Sequence, residues 1–226
     1  MERADREERW LLRKVWTDCW TNLTGLLGAN LLCLLWCLPS GGAALLSLPR
    51  MATGLAIVTV GPAVLGLLTY AAHVAREQPA SIWRDSLRGF RSAYRTGVIA
   101  GAVMATALTA HRLALTHAIE AKMAAGAVAV WAAQVALLIV LVLSGVHALS
   151  LVSLYQQDIK EAFRNALVLT IAHPEPTVGL AAAGVLAVLM TRALLGAPLI
   201  ILPALLAVLA TNTTLTLAQQ HAVAQH

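Results

Sequence analysis

The sequence predicts an all-α, polytopic integral membrane helix bundle of about six transmembrane helices, with amphipathic cytoplasmic surface helices. Three observations predict it. The chain is 59% hydrophobic and only 12% charged, whereas a soluble domain is about half apolar and about a quarter charged. Its apolar residues come in runs of around 20, enough for a helix to cross hydrocarbon, without the alternation of an outer-membrane barrel strand. Its basic residues gather in alternate connections between those runs, so topology accounts for the net charge of +5 and no nucleic-acid partner is predicted.

Taken in order, residues 1–20 form a charged cytoplasmic N-terminal segment, residues 21–218 a transmembrane helical domain and residues 219–226 a cytoplasmic tail. A cleavable signal peptide is not expected, because a long mixed-charge stretch precedes the first apolar run. That run, 22–38, ends at Pro39-Ser40-Gly41-Gly42. The second, 54–75, contains Gly61-Pro62, where proline either kinks a helix or marks its start. Residues 40–60 are therefore left as an outer loop, a re-entrant segment or part of the second span. The third run, 96–110, stops at His111-Arg112, and the fourth, 123–152, is long enough that it must tilt or protrude. Runs 177–190 and 194–218 are divided by Thr191-Arg192 and a Gly196/Pro198 break.

Six spans put both termini on one side, and the positive-inside rule says which. Arg3, Arg6, Arg9, Arg13, Lys14, Arg76, Arg84, Arg88, Arg91, Arg95, Lys160 and Arg164 fall in the N-terminal segment and even loops, against Arg50, Arg112, Lys122 and Arg192 in the odd ones. Both termini are expected in the cytoplasm. Five spans plus a re-entrant outer segment would distribute most of these charges the same way.

The second loop carries the most pattern. In IWRDSLRGFRSAYR, Trp83, Leu87, Phe90 and Tyr94 share one helical face, and Arg84, Arg88, Arg91 and Arg95 form a stripe about 100° away. Such a helix suits the inner membrane surface, with rings at the acyl boundary and guanidinium groups on anionic lipid headgroups, each worth about 1 kcal/mol. A solvated connecting helix whose arginines only enforce topology is the alternative. A second amphipathic segment follows the fourth span and stops at His173-Pro174. The likeness of Phe90-Arg91-Ser92-Ala93 to Phe163-Arg164-Asn165-Ala166 suggests two related halves, each a span, a surface helix and a span.

Polar residues inside spans are the functional suspects, because an unpaired polar group in lipid is costly. They are Asn30, Gln134, Ser144, His147 and Thr211-Asn212-Thr213-Thr214. Gln134, Ser144 and His147 are the candidate intramembrane site; interhelical hydrogen bonding is the competing reading. No Asp or Glu falls in a predicted span, which disfavours a carboxylate relay. His111, His117 and Glu120 share one predicted outer loop, with a spacing that matches no recognised metal site. There is no HExxH, P-loop or GxSxG pattern, so no catalytic residue, metal or cofactor is predicted. Cys33 and Cys37 lie one turn apart without His or carboxylate nearby and read as packing residues. Gly97 and Gly101 form a small-xxx-small pair that would let a second copy approach as a homo-oligomer.

Asn30-Leu31-Leu32, Leu34-Leu35-Trp36, Leu38-Pro39 and Thr59-Val60-Gly61-Pro62-Ala63 together resemble the signature of the YesL-like bacterial integral membrane proteins, a family of unknown function. Tyr155, Phe163-Arg164-Asn165-Ala166-Leu167 and His173-Pro174 are similar to its later segment. One departure is the insertion between Leu38-Pro39 and Gly61-Pro62, elements that lie close together in the family. The resemblance implies a bacterial inner-membrane accessory or scaffold protein without enzymatic activity, associated with carbohydrate uptake and with ABC-type carbohydrate permease subunits as partners. The alternative is a stand-alone small-solute transporter with its site between helices near the bilayer middle. A membrane enzyme built on His111, His117 and Glu120 is the third reading.

Overall fold

The computed structural model describes residues 2–120, 125–194 and 196–224. Nine α-helices follow one another among these residues: α1 Glu2–Thr21, α2 Leu23–Leu45, α3 Pro49–Ala75, α4 Ile82–Ser92, α5 Tyr94–Glu120, α6 Ala125–Tyr155, α7 Ile159–Ala172, α8 Pro174–Ala193 and α9 Leu202–Ala224. A 3-10 turn, Ala197–Ile200, precedes the last. Helices α2, α3, α5, α6, α8 and α9 are long and apolar enough to cross a membrane. The all-helical class and the six long helices agree with the sequence; several boundaries do not.

The first span does not end at Pro39. Proline removes one backbone donor, but hydrocarbon offers the chain no alternative partner, and α2 continues through Leu45. It closes in a left-handed turn at Ser47, φ 57°. There Ser47 N–H donates to Ala44 O at 3.1 Å and Leu48 N–H to Ala43 O at 3.0 Å, satisfying carbonyls the helix end leaves open. Pro49 then opens α3, where a missing N–H costs nothing. Residues 40–60 are thus divided between two helices, and Pro62 sits inside α3 rather than at its start.

Helix α5 runs on to Glu120, so His111, Arg112 and His117 belong to a helix and not to a loop. The expected Met123 start of the fourth span, and Lys122, lie outside the described residues. The sixth span begins at Leu202 rather than at residue 194, because Gly196 (φ 85°) and the 3-10 turn intervene.

Helix α3 is the centre of the bundle, touching α2, α4, α5, α6 and α9. Its second half is almost wholly buried, from Leu65 to Ala75. One apolar cluster joins Leu26, Ala29, Leu67, Ala71 and Val208 across α2, α3 and α9. Another joins Leu65, Ala148, Leu151, Ala166, Leu169 and Leu217 across α3, α6, α7 and α9. At this end of the bundle the C-termini of α3 and α6 meet, with the Arg76 guanidinium 5.0 Å from the Tyr155 ring centre. By contrast, α5 buries only Gly97 and Ala118 among its residues, and Leu137, Ile139, Val185 and Leu189 lie open on α6 and α8. Those faces suit lipid as solvent.

Small residues bring α3 and α5 together. A Cβ on Gly61 would meet the Gly97 carbonyl, one on Gly97 would lie 2.7 Å from Pro62 Cα, and one on Gly101 2.8 Å from the Ile57 carbonyl oxygen. The Gly97/Gly101 pair therefore serves a contact inside the chain, which removes it as the expected docking stripe for a second copy. The suggested repeat recurs as an element pattern, α3-α4-α5 and α6-α7-α8. Side-chain roles differ between the two: Phe90 stacks on Trp36, whereas Phe163 is exposed.

Candidate functional site

The strongest concentration of buried polar side chains joins α6, α7, α8 and α9. His147 is 0% exposed; its Nδ1 lies 2.8 Å from Thr214 Oγ1 and its Nε2 3.4 Å from Thr177 Oγ1. One turn earlier, Ser144 Oγ lies 3.5 Å from Thr170 Oγ1, and one turn later Ser150 is fully buried with no partner for its hydroxyl among the described residues. The threonines share one local habit. Thr214 donates to the Ala210 carbonyl (2.7 Å), Thr177 to His173 (2.9 Å) and Thr170 to Ala166 (2.8 Å). A hydroxyl that donates to its own helix offers neighbours only lone pairs. On this assignment the ring proton sits on Nδ1 and is donated to Thr214 Oγ1, and Ser144 donates to Thr170. The result is a clamp in which hydrogen bonds join α6 to α9 and to α7, while Thr177 of α8 packs beside Nε2 with no proton between them.

The structure thus brings Ser144 and His147 together with neighbours the sequence reading did not name, Thr170 and Thr177. It leaves Gln134 out. That residue is half-buried nearer the start of α6, and its Oε1 has no partner among the described residues. Asn30 belongs to a different joint: its side-chain amide donates to the Leu199 carbonyl at 2.8 Å and the Ile200 carbonyl at 2.7 Å, holding the 3-10 turn against α2.

A charged joint ties α1 to the bundle. Asn212 Nδ2 donates to Asp18 Oδ2 at 3.2 Å, and Lys14 Nζ lies 3.7 Å from the same carboxylate and 3.1 Å from Glu77 Oε1. Next to it, Cys19 is buried, and that burial, followed by the Asp18 charge, pushes its thiol from 9.0 up to about 11. Because the thiolate is the nucleophile, a thiol held at about 11 instead of 9.0 has a roughly hundredfold smaller reactive fraction at about pH 8. In a Cys33→Ser/Cys37→Ser background, alkylation of Cys19 is expected to be about that much slower than for a free thiol. It should rise about tenfold per pH unit as the medium is taken toward that higher pKa, which iodoacetamide labelling followed by mass spectrometry would measure.

On α4 the four arginines, Arg84, Arg88, Arg91 and Arg95 (the last just into α5), are all exposed, and Trp83 is 70% exposed. Phe90, however, stacks on Trp36 at 4.2 Å and leans on Tyr94 at 5.6 Å, so one ring of the aromatic face is used inside the protein. Leu87 is half-buried in the same crevice. The buried face of α4 is a third stripe, Asp85, Ser86 and Gly89. Asp85 accepts the Ser81 N–H at 2.6 Å, and a Cβ on Gly89 would strike Thr69. Ile82 packs at Gly28 and Phe90 at Trp36, eight positions on along each helix, so α4 lies along α2 rather than across it.

The remaining motif residues are dispersed. Pro39 is exposed within α2, Gly61, Pro62 and Ala63 lie inside α3, and Phe163 and Arg164 are exposed on α7. Asn165 Nδ2 reaches Gln157 Oε1 at 3.4 Å. His173 separates α7 from α8, which Pro174 opens. At the other end of α5, His117 Nδ1 lies 3.6 Å from Glu120 Oε2, while His111 faces the Trp131 ring at 6.4 Å. Six residues apart on one helix, the two histidines point different ways. Among the described residues no three His, Cys, Asp or Glu side chains are grouped to hold a metal.

The class these features define is a multi-pass membrane protein, an all-helical bundle with six helices fit to span. Comparison with family models, with curated proteins and with solved structures returns no match.

Proposed function

We propose that the chain is a YesL-like, non-enzymatic accessory or scaffold protein of the bacterial inner membrane, with both termini in the cytoplasm, working beside an ABC-type carbohydrate permease. The link to carbohydrate uptake rests on the motif resemblance, and the orientation on the arginine-rich connections. One observation carries the choice of a scaffold over a transporter. His147, fully buried, is hydrogen-bonded through Nδ1 to Thr214 of α9 and packed through Nε2 against Thr177 of α8, the arrangement of a fastening between helices rather than of groups held ready for a solute. The open apolar faces of α5, α6 and α8 supply surface on which other membrane helices can lie.

Photo-crosslinking in native membranes tests this. A photoreactive side chain in place of Leu137 or Val185 is expected to give adducts with permease subunits. Absence of any protein adduct, together with solute uptake by the purified chain in proteoliposomes, would transfer the assignment to a transporter.

A further inference from the structure

At the end of the bundle where α3 and α6 terminate, a cavity of about 150 Å³ opens between those helices and α4. Its volume is below the roughly 300 Å³ at which drug-sized pockets begin, so it suits a small group. Arg76, Gln78, Arg88, Ser92, Ser153 and Gln156 place hydrogen-bond donors in its wall, and among the described residues no Asp or Glu lines it. Neither arginine has a carboxylate within ion-pair distance among the described residues; the pairs there involve Lys14, Arg84 and His117. The Ser153 hydroxyl is buried without a partner among the described residues. His73, also in the wall, has its Nδ1 2.8 Å from the Thr69 carbonyl oxygen.

The helix ends oppose part of this charge. Two C-termini bring about one unit of negative charge between them, and two guanidinium groups bring two positive units, so about one positive unit remains. Arg88 also borders a shallow patch with Arg84 and Arg91, which would draw anions toward the opening. We propose that this cavity binds a phosphoryl oxyanion, carried on an anionic phospholipid headgroup or free in solution. Guanidinium groups fit such an oxyanion through paired N–H donors, and Ser153 supplies a further donor. The proposal is independent of the accessory role.

Thermal unfolding of the full chain in uncharged detergent tests it. Inorganic phosphate is titrated in one arm, and short-chain phosphatidylglycerol against phosphatidylcholine in the other. The wild type is expected to be stabilised in at least one arm, with half-saturation moved about tenfold or more upward in both Arg76→Gln and Arg88→Gln. Arg164→Gln, on α7 outside the cavity wall, should respond like the wild type. Stabilisation by phosphate assigns the free ion; stabilisation by phosphatidylglycerol alone assigns the headgroup. If a glutamine variant does not purify as a monodisperse particle, Ser153→Ala replaces it and must also weaken the response. No stabilisation in either arm, or a response that survives in either glutamine variant, overturns the site.

Discussion

Replacing Gly97 with leucine is expected to destabilise the bundle by about 3 kcal/mol and to deplete the folded, monodisperse protein. The first added carbon would already lie 2.7 Å from Pro62 Cα, and the obstructing atoms are backbone, so no rotamer change relieves the clash. Moving α3 and α5 apart is the only escape, and α3 is the helix on which five others pack. Leucine at Gly126, which has nothing among the described residues within 4 Å of the corresponding carbon, is the matched control and should leave stability unchanged within about 0.5 kcal/mol. Thermal unfolding and size-exclusion profiles in detergent would compare the two. Equal behaviour would mean that α3 and α5 do not approach at Gly61 and Gly97.

His147→Ala is the second large effect expected, a loss of about 2–4 kcal/mol. Most of it comes from the space vacated by a side chain that is 0% exposed, since interhelical hydrogen bonds in membrane proteins average only about 0.6 kcal/mol. Gln134→Ala, half-buried with a partnerless oxygen, should stay within about 0.5 kcal/mol of the parent. The contrast separates a helix fastening from a solute site: a solute site would lose ligand-dependent stabilisation in His147→Ala while keeping most of its unliganded stability. A small change in unliganded stability would therefore refute the clamp.

Some of this architecture could be read from residue pattern and some could not. The long apolar helices were legible because water-soluble folds rarely sustain such runs, and α4 and α7 because apolar residues recur at helical spacing among charged ones in 82–95 and 157–172. Helix ends were not. Pro39 and His111-Arg112 look like stops by the rules of aqueous helices, but in lipid an unpaired backbone group has nowhere better to go, and both helices continue. Gly97 and Gly101 announced a close helix contact, yet a sequence carries no sign of which helix arrives; it is α3 of the same chain. Within the polar cluster, Ser144 and His147 stood out as polar residues inside an apolar run. Their neighbours Thr170 and Thr177 did not, because a threonine that donates to its own helix is unremarkable until another helix packs against it. The face of α4 formed by Asp85, Ser86 and Gly89 was hidden for a related reason: small and polar residues resemble a wetted surface, although Gly89 inside a helix was a sign of close packing.

The bond from Asn212 to Asp18 spans 194 positions, which gives the chain an order of completion. Asp18 is made 194 positions before Asn212, so its partner is still missing while α2, α3, α5, α6 and α8 are made. This joint of α1 can close only after α9 has been made, and a nascent chain cut short before α9 would keep it open.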